Sequence, residues 1–255
     1  MTSVMQRVQA VKQPRGGYVA TKLFNKIQLD DNKILSPNES TIKGNLFGIT
    51  VDYFTRFLLG ADKEVAWSVS LMGAKMINQQ GFAEQLLNQI TGLNPESIQA
   101  AYRLAGFDVV KRGRSVDYRD VNSSYFTLSS DEMDDITIMI ERVQSFFKNY
   151  GHPIDSGMTF NGGYTDMINT GDADYITEDT LWDLKTVRGN VLSKDYKLQL
   201  LVYYLMGLHS FEAKNYVNIK YLGIFNPRNN VVYRCPINKI PESVIDEVKT
   251  VVIGY

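Results

Sequence analysis

The sequence predicts an α/β fold, with a mostly helical N-terminal half followed by a half that alternates strands and helices. From about residue 36 to 150, apolar residues recur at helical spacing behind helix-capping residues. In the regions 158–187 and 216–235, short stretches rich in Thr, Tyr, Ile and Val alternate with turn-forming residues. A helical stretch over 194–208, with Ser193 as its cap, separates these two regions.

The helical half begins at a clear start signal. Ser36 is a favourable N-cap, Pro37 suits the first helical position, and Glu39 completes a capping box. We expect helix from 36 to about 59, ended by Gly60. The next predicted helix would turn one apolar face inward, formed by Val65, Val69, Met72 and Met76.

These elements suggest four segments. Residues 1–35 form an N-terminal segment and 36–60 the first core helix. Residues 61–150 are expected to form an inserted helical subdomain, and 151–255 the α/β core.

Composition narrows the class of protein. The chain has 255 residues, 44% of them hydrophobic, and a formal charge of −1, so it is not a general polyanion binder. No apolar run is long enough for a membrane span, and we expect no membrane partner. Its single cysteine, Cys235, predicts a reducing, cytoplasmic location and argues against cysteine-ligated metal sites.

The tripeptide Asp183-Leu184-Lys185 is the strongest chemical signal. It lies in a predicted strand over 181–186, whose alternation puts Asp183 and Lys185 on one face and Trp182 and Leu184 on the other. A charged pair in such apolar surroundings is costly unless it is paired or bound. It is therefore either a structural ion pair or part of a catalytic or metal site.

A second carboxylate precedes the tripeptide in one of two Gly-x-x-Asp segments. Asp166 lies in a predicted strand over 163–168 and is the preferred partner of Asp183. Asp174 has the same spacing from a glycine. Its surroundings, 170–174, are crowded with turn formers and charge and are expected to form a connection.

Two helices carry further candidates. Tyr196, Gln199 and Tyr203 share one helical face, which is either ordinary and half-buried or a set of hydrogen-bonding groups beside the carboxylates. Asp52 lies in the first helix after Gly44 and Gly48 and is either an exposed side chain or a ligand-facing one.

In order and internal spacing, these residues resemble the PD-(D/E)XK nuclease superfamily, in particular its RecB-like exonuclease branch. The family pattern runs Gly-x3-His-x3-Glu, Gly-x-x-Asp, (Asp/Glu)-x-Lys and Tyr-x-x-Gln-x3-Tyr. Two residues depart from it: Gly48 stands at the histidine position, and Asp52 stands at the glutamate position. The matching residues are Gly44, Gly48 and Asp52; Gly163 and Asp166, or alternatively Gly171 and Asp174; Asp183 and Lys185; and Tyr196, Gln199 and Tyr203.

The resemblance implies a restriction-endonuclease-like core, with a central mixed β-sheet flanked by helices and a helical insertion. It implies metal-dependent hydrolysis of phosphodiester bonds, with DNA as the favoured partner and exonuclease-like action. Mg²⁺ or Mn²⁺ would be held by Asp52, Asp166, Asp183 and the Leu184 carbonyl. The alternative is a nuclease-fold protein with weak or no catalysis that binds nucleic acid or a protein partner.

The resemblance also assigns roles around the metal. Lys185 would orient or deprotonate the attacking water, and Gln199 would position the substrate or Lys185. Tyr196 and Tyr203 would support the substrate. Two groups of cations could contact the nucleic-acid backbone. The first is near the site in sequence and comprises Arg188, Lys194 and Lys197; the second lies within the predicted insertion and comprises Lys111, Arg112 and Arg114.

Overall fold

The computed structural model describes residues 2–36, 44–112 and 126–255. The chain divides into two compact units. The sheet unit comprises Met1–Asp30 and Phe147–Tyr255, and the helical unit comprises Asp31–Phe146. This differs from the expected division, because the N-terminal segment belongs with the sheet and the first long helix belongs with the other helices. The predicted helix start at Pro37 and Glu39 lies outside the described residues.

The described residues form nine α-helices and six strands, besides short 3₁₀ turns and a π-helical turn at Val248–Ile253. The helices are α1 (Val4–Ala10), α2 (Gly44–Leu58), α3 (Lys63–Ala66), α4 (Ser68–Met76), α5 (Gln80–Gln89), α6 (Pro95–Lys111), α7 (Ser130–Tyr150), α8 (Lys194–His209) and α9 (Glu242–Glu247). The strands are β1 (Asn25–Gln28), β2 (Asp155–Thr159), β3 (Asp172–Ile176), β4 (Thr180–Leu184), β5 (Tyr221–Asn226) and β6 (Val231–Pro236).

The six strands form one mixed sheet in the order β1-β6-β5-β4-β3-β2. Only the central β4–β5 pair is parallel; the other neighbours are antiparallel. Parallel strands need a crossover, and α8 supplies it between β4 and β5. The predicted α/β architecture with helices on the sheet is therefore confirmed.

The sidedness of β4 follows the predicted alternation. Trp182 points to one face, where its ring meets the edge of Tyr150 from the end of α7 at 5.4 Å between ring centroids. It lies opposite Gly223, where a Cβ atom would come within 2.1 Å of the indole ring. Leu181 joins the core shared with α8 on the other face. Asp183 and Lys185 therefore lie on the α8 side.

The helical unit corrects one expectation about burial. The second predicted helix is broken into α3 and α4, and Val65, Met72 and Met76 are exposed. The buried face of α4 is formed by small residues. At Gly73 a Cβ atom would lie 1.9 Å from the Phe107 carbonyl oxygen, so α4 crosses α6 too closely for larger side chains.

Other local signals are confirmed. Ser129 and Glu132 form the predicted capping box, in which each side chain accepts the other's backbone N–H. Gly60 follows α2 with a left-handed φ of 104°, as a C-terminal glycine should. None of the helices in the described ranges is long and apolar enough to cross a membrane.

Candidate active site

The predicted acidic-x-Lys pair forms a buried ion pair at the end of β4. The Lys185 Nζ atom lies 2.8 Å from Oδ1 and 2.7 Å from Oδ2 of Asp183, so the ammonium faces both carboxylate oxygens. Asp183 is only 2% exposed. The backbone N–H of Lys185 donates to the Phe225 carbonyl at 3.0 Å, which extends the β4–β5 ladder one residue past the strand.

Asp174 completes this cluster from the neighbouring strand. β3 and β4 pair through Tyr175–Trp182 and Ile176–Leu181, so Asp174 and Asp183 occupy the next opposing positions. The Asp174 Oδ2 atom accepts the backbone N–H of Leu184 at 2.7 Å. The carboxylate is therefore fixed against the same backbone that carries Asp183 and Lys185.

The region around Asp166 differs from its prediction. Residues 163–168 contain no strand; they form a turn and a loop between β2 and β3, and Asp166 is exposed. Its side chain forms no hydrogen bond or ion pair with any other described residue. The tightly packed position here is Gly163, where a Cβ atom would lie 2.4 Å from the Met206 carbonyl oxygen. The loop conformation thus follows from packing against α8.

The segment expected to be a connection is instead β3. Its turn-forming composition is overridden by pairing with strands on both sides. Asp172 and Asp174 share one face of β3, because strand side chains alternate. Sequence reasoning gave Asp172 no role, and the Asp-x-Asp spacing on a strand is the signal that could have found it.

Helix α8 presents the predicted polar face to this cluster. Gln199 is buried, and its Nε2 donates to the Tyr203 hydroxyl at 2.7 Å. Its Oε1 accepts no hydrogen bond within the described residues. Burial, followed by the charges of Asp172, Asp183 and Asp174, raises the pKa of Tyr203 well above its usual value. The phenol is therefore neutral and lies within the field of the three carboxylates.

The electrostatics of Lys185 favour its charged form. Burial alone would lower the pKa of this ammonium, but the charges of Asp183 and Asp174 and the hydrogen bond with Asp183 outweigh it. The pKa of Lys185 is therefore raised above its ordinary value. The Tyr196 ring, whose centroid lies 4.8 Å from Nζ, adds a cation–π contact. In this arrangement Lys185 is a cation and a hydrogen-bond donor at neutral pH.

Asp52 lies in the helical unit on α2. Its two carboxylate oxygens accept from Arg56, Oδ1 at 3.1 Å from Nε and Oδ2 at 2.6 Å from Nη2. The pair has the i,i+4 spacing that stabilises a helix surface. Ligation of a metal by Asp52 stays a prediction.

The three cations predicted to contact nucleic acid differ in their exposure to solvent. Arg188 and Lys194 are exposed near the start of α8. Lys197 is buried, and its Nζ donates to the Gly16 carbonyl at 3.1 Å and to Thr21 Oγ1 at 2.7 Å. Burial lowers the pKa of Lys197. It therefore holds the N-terminal segment and does not reach a ligand.

The second basic patch is only partly described. Lys111 is exposed at the end of α6. Arg112 pairs with buried Asp108 at 2.6 Å, and Asp108 also accepts from Tyr53 at 2.5 Å. Arg114 lies outside the described residues.

The loop that follows Lys185 is held by contacts that spacing alone could not reveal. Asn226 Nδ2 donates to the Val187 carbonyl at 2.7 Å, and Arg228 Nε donates to the Thr186 carbonyl at 2.8 Å. Asn226 is the last residue of β5 and Arg228 lies in the turn between β5 and β6, far along the chain. They fix the path between the ion pair and α8.

The donor set suits a hard divalent cation in type. Asp174, Asp183 and the Leu184 carbonyl offer oxygen atoms only, and Mg²⁺ is commonly held by one or two carboxylates together with water and substrate phosphate. Within the described ranges, no three His, Cys, Asp or Glu side chains come together closely enough to hold a metal ion. An ion bound here would thus rely on the two carboxylates, the Leu184 carbonyl and waters.

Comparison with known proteins finds no matching family model, no similar curated protein and no similar solved structure.

Proposed function

We propose that this protein is a Mg²⁺- or Mn²⁺-dependent nuclease that hydrolyses phosphodiester bonds, most readily those of DNA, on a restriction-endonuclease-like core. The observation that carries the proposal is the meeting of Asp174, Asp183 and Lys185 at one end of the central strands. The resemblance in motif order supports it, with Gly171 and Asp174 as the second element in place of Gly163 and Asp166.

In this proposal Asp174, Asp183 and the Leu184 carbonyl hold the divalent ion. A bound ion would activate a water and neutralise charge on the phosphate. The Lys185 ammonium, held between Asp183 and the Tyr196 ring, would orient the phosphate and offset the charge that builds during attack.

The α8 side chains would then position the substrate. The unpaired Gln199 Oε1 can accept a hydrogen bond from the attacking water or from Lys185, while Tyr203 holds the amide in place. The Tyr196 ring keeps the ammonium on the α8 side of the sheet.

The test is metal-dependent cleavage of single- and double-stranded DNA by wild type and by Asp183→Ala and Lys185→Ala. The matched control is Asp179→Ala, because Asp179 pairs with Arg234 beside Thr180, at the opposite end of β4. Loss of cleavage in the first two variants alone is expected. Undiminished cleavage in both would overturn the proposal.

Circular and linear substrates then separate the modes of action. Loss of linear DNA alone is expected for the exonuclease-like action that we propose, whereas nicking of circles requires endonuclease activity. A wild-type protein that binds DNA but cleaves neither form would favour the alternative, a nuclease-fold protein without catalysis.

A further inference from the structure

The first 29 residues carry an unusual charge for this chain. They contain five basic residues, Arg7, Lys12, Arg15, Lys22 and Lys26, and no acidic residue, although the whole protein has a formal charge of −1. Arg7 has a structural role, since Nε donates to the Val252 carbonyl at 2.9 Å. The other four cations are exposed and make no ion pair with any described residue.

Three of these cations lie beside the first turn of α8. Each is adjacent in sequence to a residue that contacts this turn. Gln13 donates to Asp195 at 2.7 Å, and Gly16 and Thr21 accept from Lys197. We define the basic strip as the four exposed cations that lie in this turn or next to these contacting residues: Lys12, Arg15, Lys22 and Lys194.

The basic strip is held on a fixed segment. Pro14 and Gly17 close a turn at 2.9 Å, and Gly16 and Gly17 both have a φ of 87°. At Gly17 a Cβ atom would lie 2.8 Å from Lys194 Cβ, so only glycine allows this approach. The next two residues, Tyr18 and Val19, are buried in the core. The backbone that carries the cations is therefore ordered before any ligand arrives, which lowers the entropy lost on binding.

The carboxylates that touch this segment leave the cations unneutralised. Asp195 accepts from the neutral Gln13 amide, and Glu247 accepts from the Tyr18 hydroxyl at 3.1 Å. The first turn of α8 also carries Tyr196, whose ring contacts Lys185. The strip thus adjoins the candidate active site.

We infer that the basic strip binds the phosphate backbone of the nucleic-acid strand that the candidate active site cleaves; this inference rests on the proposed function. Several exposed cations that make no ion pair within the described ranges, close to a phosphodiester-cleaving site, match the repeating charge of a polynucleotide. A membrane surface fits less well, because membrane-bound surfaces insert apolar groups, and here Tyr18 and Val19 are buried.

The test compares two triple variants with the same loss of charge. The strip variant is Lys12→Gln/Arg15→Gln/Lys22→Gln. The control variant replaces three exposed lysines of the sheet unit outside the strip: Lys148→Gln/Lys214→Gln/Lys220→Gln. Binding of labelled single-stranded and duplex DNA is measured by fluorescence anisotropy in EDTA over a salt series, after circular dichroism has established folding.

We expect the strip variant to bind duplex DNA roughly tenfold or more weakly at low salt. Its slope of log K against log salt should fall by about 2 to 3, because each lost phosphate contact removes about one unit. The control variant should keep the wild-type affinity and slope. Equal losses in both variants, or none in either, would overturn the inference.

Two further measurements separate the possible failures. Mn²⁺-dependent hydrolysis of bis(4-nitrophenyl) phosphate, which is too small to reach the strip, should be the same in wild type and strip variant. Strip-dependent DNA binding without any hydrolysis would uphold the strip and reject the nuclease. Hydrolysis with strip-independent DNA binding would reject the strip alone. If the strip variant loses sedimentation with phosphatidylserine vesicles but binds DNA as wild type does, the strip binds a membrane surface and the inference of a nucleic-acid ligand is overturned.

Discussion

The two Gly-x-x-Asp segments have the same spacing but different structures. In the first, Gly163 packs against the Met206 carbonyl and Asp166 lies exposed in a loop. In the second, Asp174 lies on β3 and accepts the N–H of Leu184. Spacing alone therefore does not show which aspartate lies beside the acidic-x-Lys pair; the pairing of β3 with β4 does.

The glycines of the two segments show how a structural pattern can imitate a functional one. A Cβ atom at Gly163 would meet rigid backbone, and one at Gly171 would come within 2.7 Å of Val4 Cγ2. Both glycines are explained by close packing. The aspartate three residues later lies opposite Asp183 in the second segment, where the chain enters the sheet.

The largest expected effect comes from substituting Asp183, the carboxylate beside which either Gly-x-x-Asp segment would have to place its aspartate. Asp183→Asn should reduce metal-dependent cleavage by at least about 10³-fold. It should also lower the free energy of unfolding by about 3 kcal/mol, because it leaves the buried Lys185 ammonium without its main partner. Cleavage assays and urea unfolding measure the two effects.

The double variant Asp183→Asn/Lys185→Met separates the effect on cleavage from the effect on stability. It also removes the Lys185 ammonium, which Asp183→Asn alone leaves without its main partner. It should regain much of the stability and none of the activity. Recovery of cleavage in the double variant would mean that the ion pair is only structural.

The direct comparison of the two segments gives the next effect. Asp174→Asn should reduce cleavage by about 10²-fold or more, because it removes one of the two carboxylate charges that would hold the divalent ion and that face Lys185. Asp166→Asn should change the rate by less than about twofold, since exposed substitutions away from a site have small effects. Steady-state cleavage rates on one linear duplex measure both variants. A larger loss of activity in Asp166→Asn than in Asp174→Asn would favour Asp166 as the carboxylate of the site.

A smaller effect is expected from a substitution on the polar face of α8, which lies beside the carboxylate cluster. Tyr203→Phe removes the hydroxyl that holds the Gln199 amide and should lower the cleavage rate by about tenfold. Tyr204→Phe is the matched control on the next position of α8, where the ring is only partly buried. Equal rates for the two variants would remove Tyr203 and Gln199 from the site.

The smallest effect concerns packing rather than chemistry. Gly163→Ala should lower the free energy of unfolding by about 1 to 3 kcal/mol, since it overpacks against a backbone carbonyl. Gly171→Ala should cost less, because the Val4 side chain can turn away. Thermal or urea unfolding of both variants measures the difference, and a larger loss at Gly171 would contradict this account.

Much of the fold could be predicted from local patterns. The strand around Asp183, its sidedness, helix α8 and the Ser129–Glu132 capping box each depend on a few neighbouring residues, and each is found. The site was predicted in part: Asp183, Lys185 and the α8 side chains come together, while Asp166 does not join them in any hydrogen bond or ion pair of the described chain.

The errors have a common physical cause, which is long-range pairing. Turn-forming residues at 170–174 suggested a connection, yet β2 and β4 on either side stabilise a strand there. The apolar face of α4 is exposed because Gly73 sits at a close helix crossing. Lys197 is buried because distant Gly16 and Thr21 accept its hydrogen bonds. None of these partners is visible in local spacing.

The central claim is that the cation-binding carboxylates are Asp174 and Asp183. Calorimetric titration of Mn²⁺ into wild type, Asp174→Asn and Asp166→Asn tests it most directly. The account predicts binding by wild type and Asp166→Asn, and affinity at least roughly tenfold weaker in Asp174→Asn. Unchanged binding by Asp174→Asn, or loss of binding in Asp166→Asn, would contradict it.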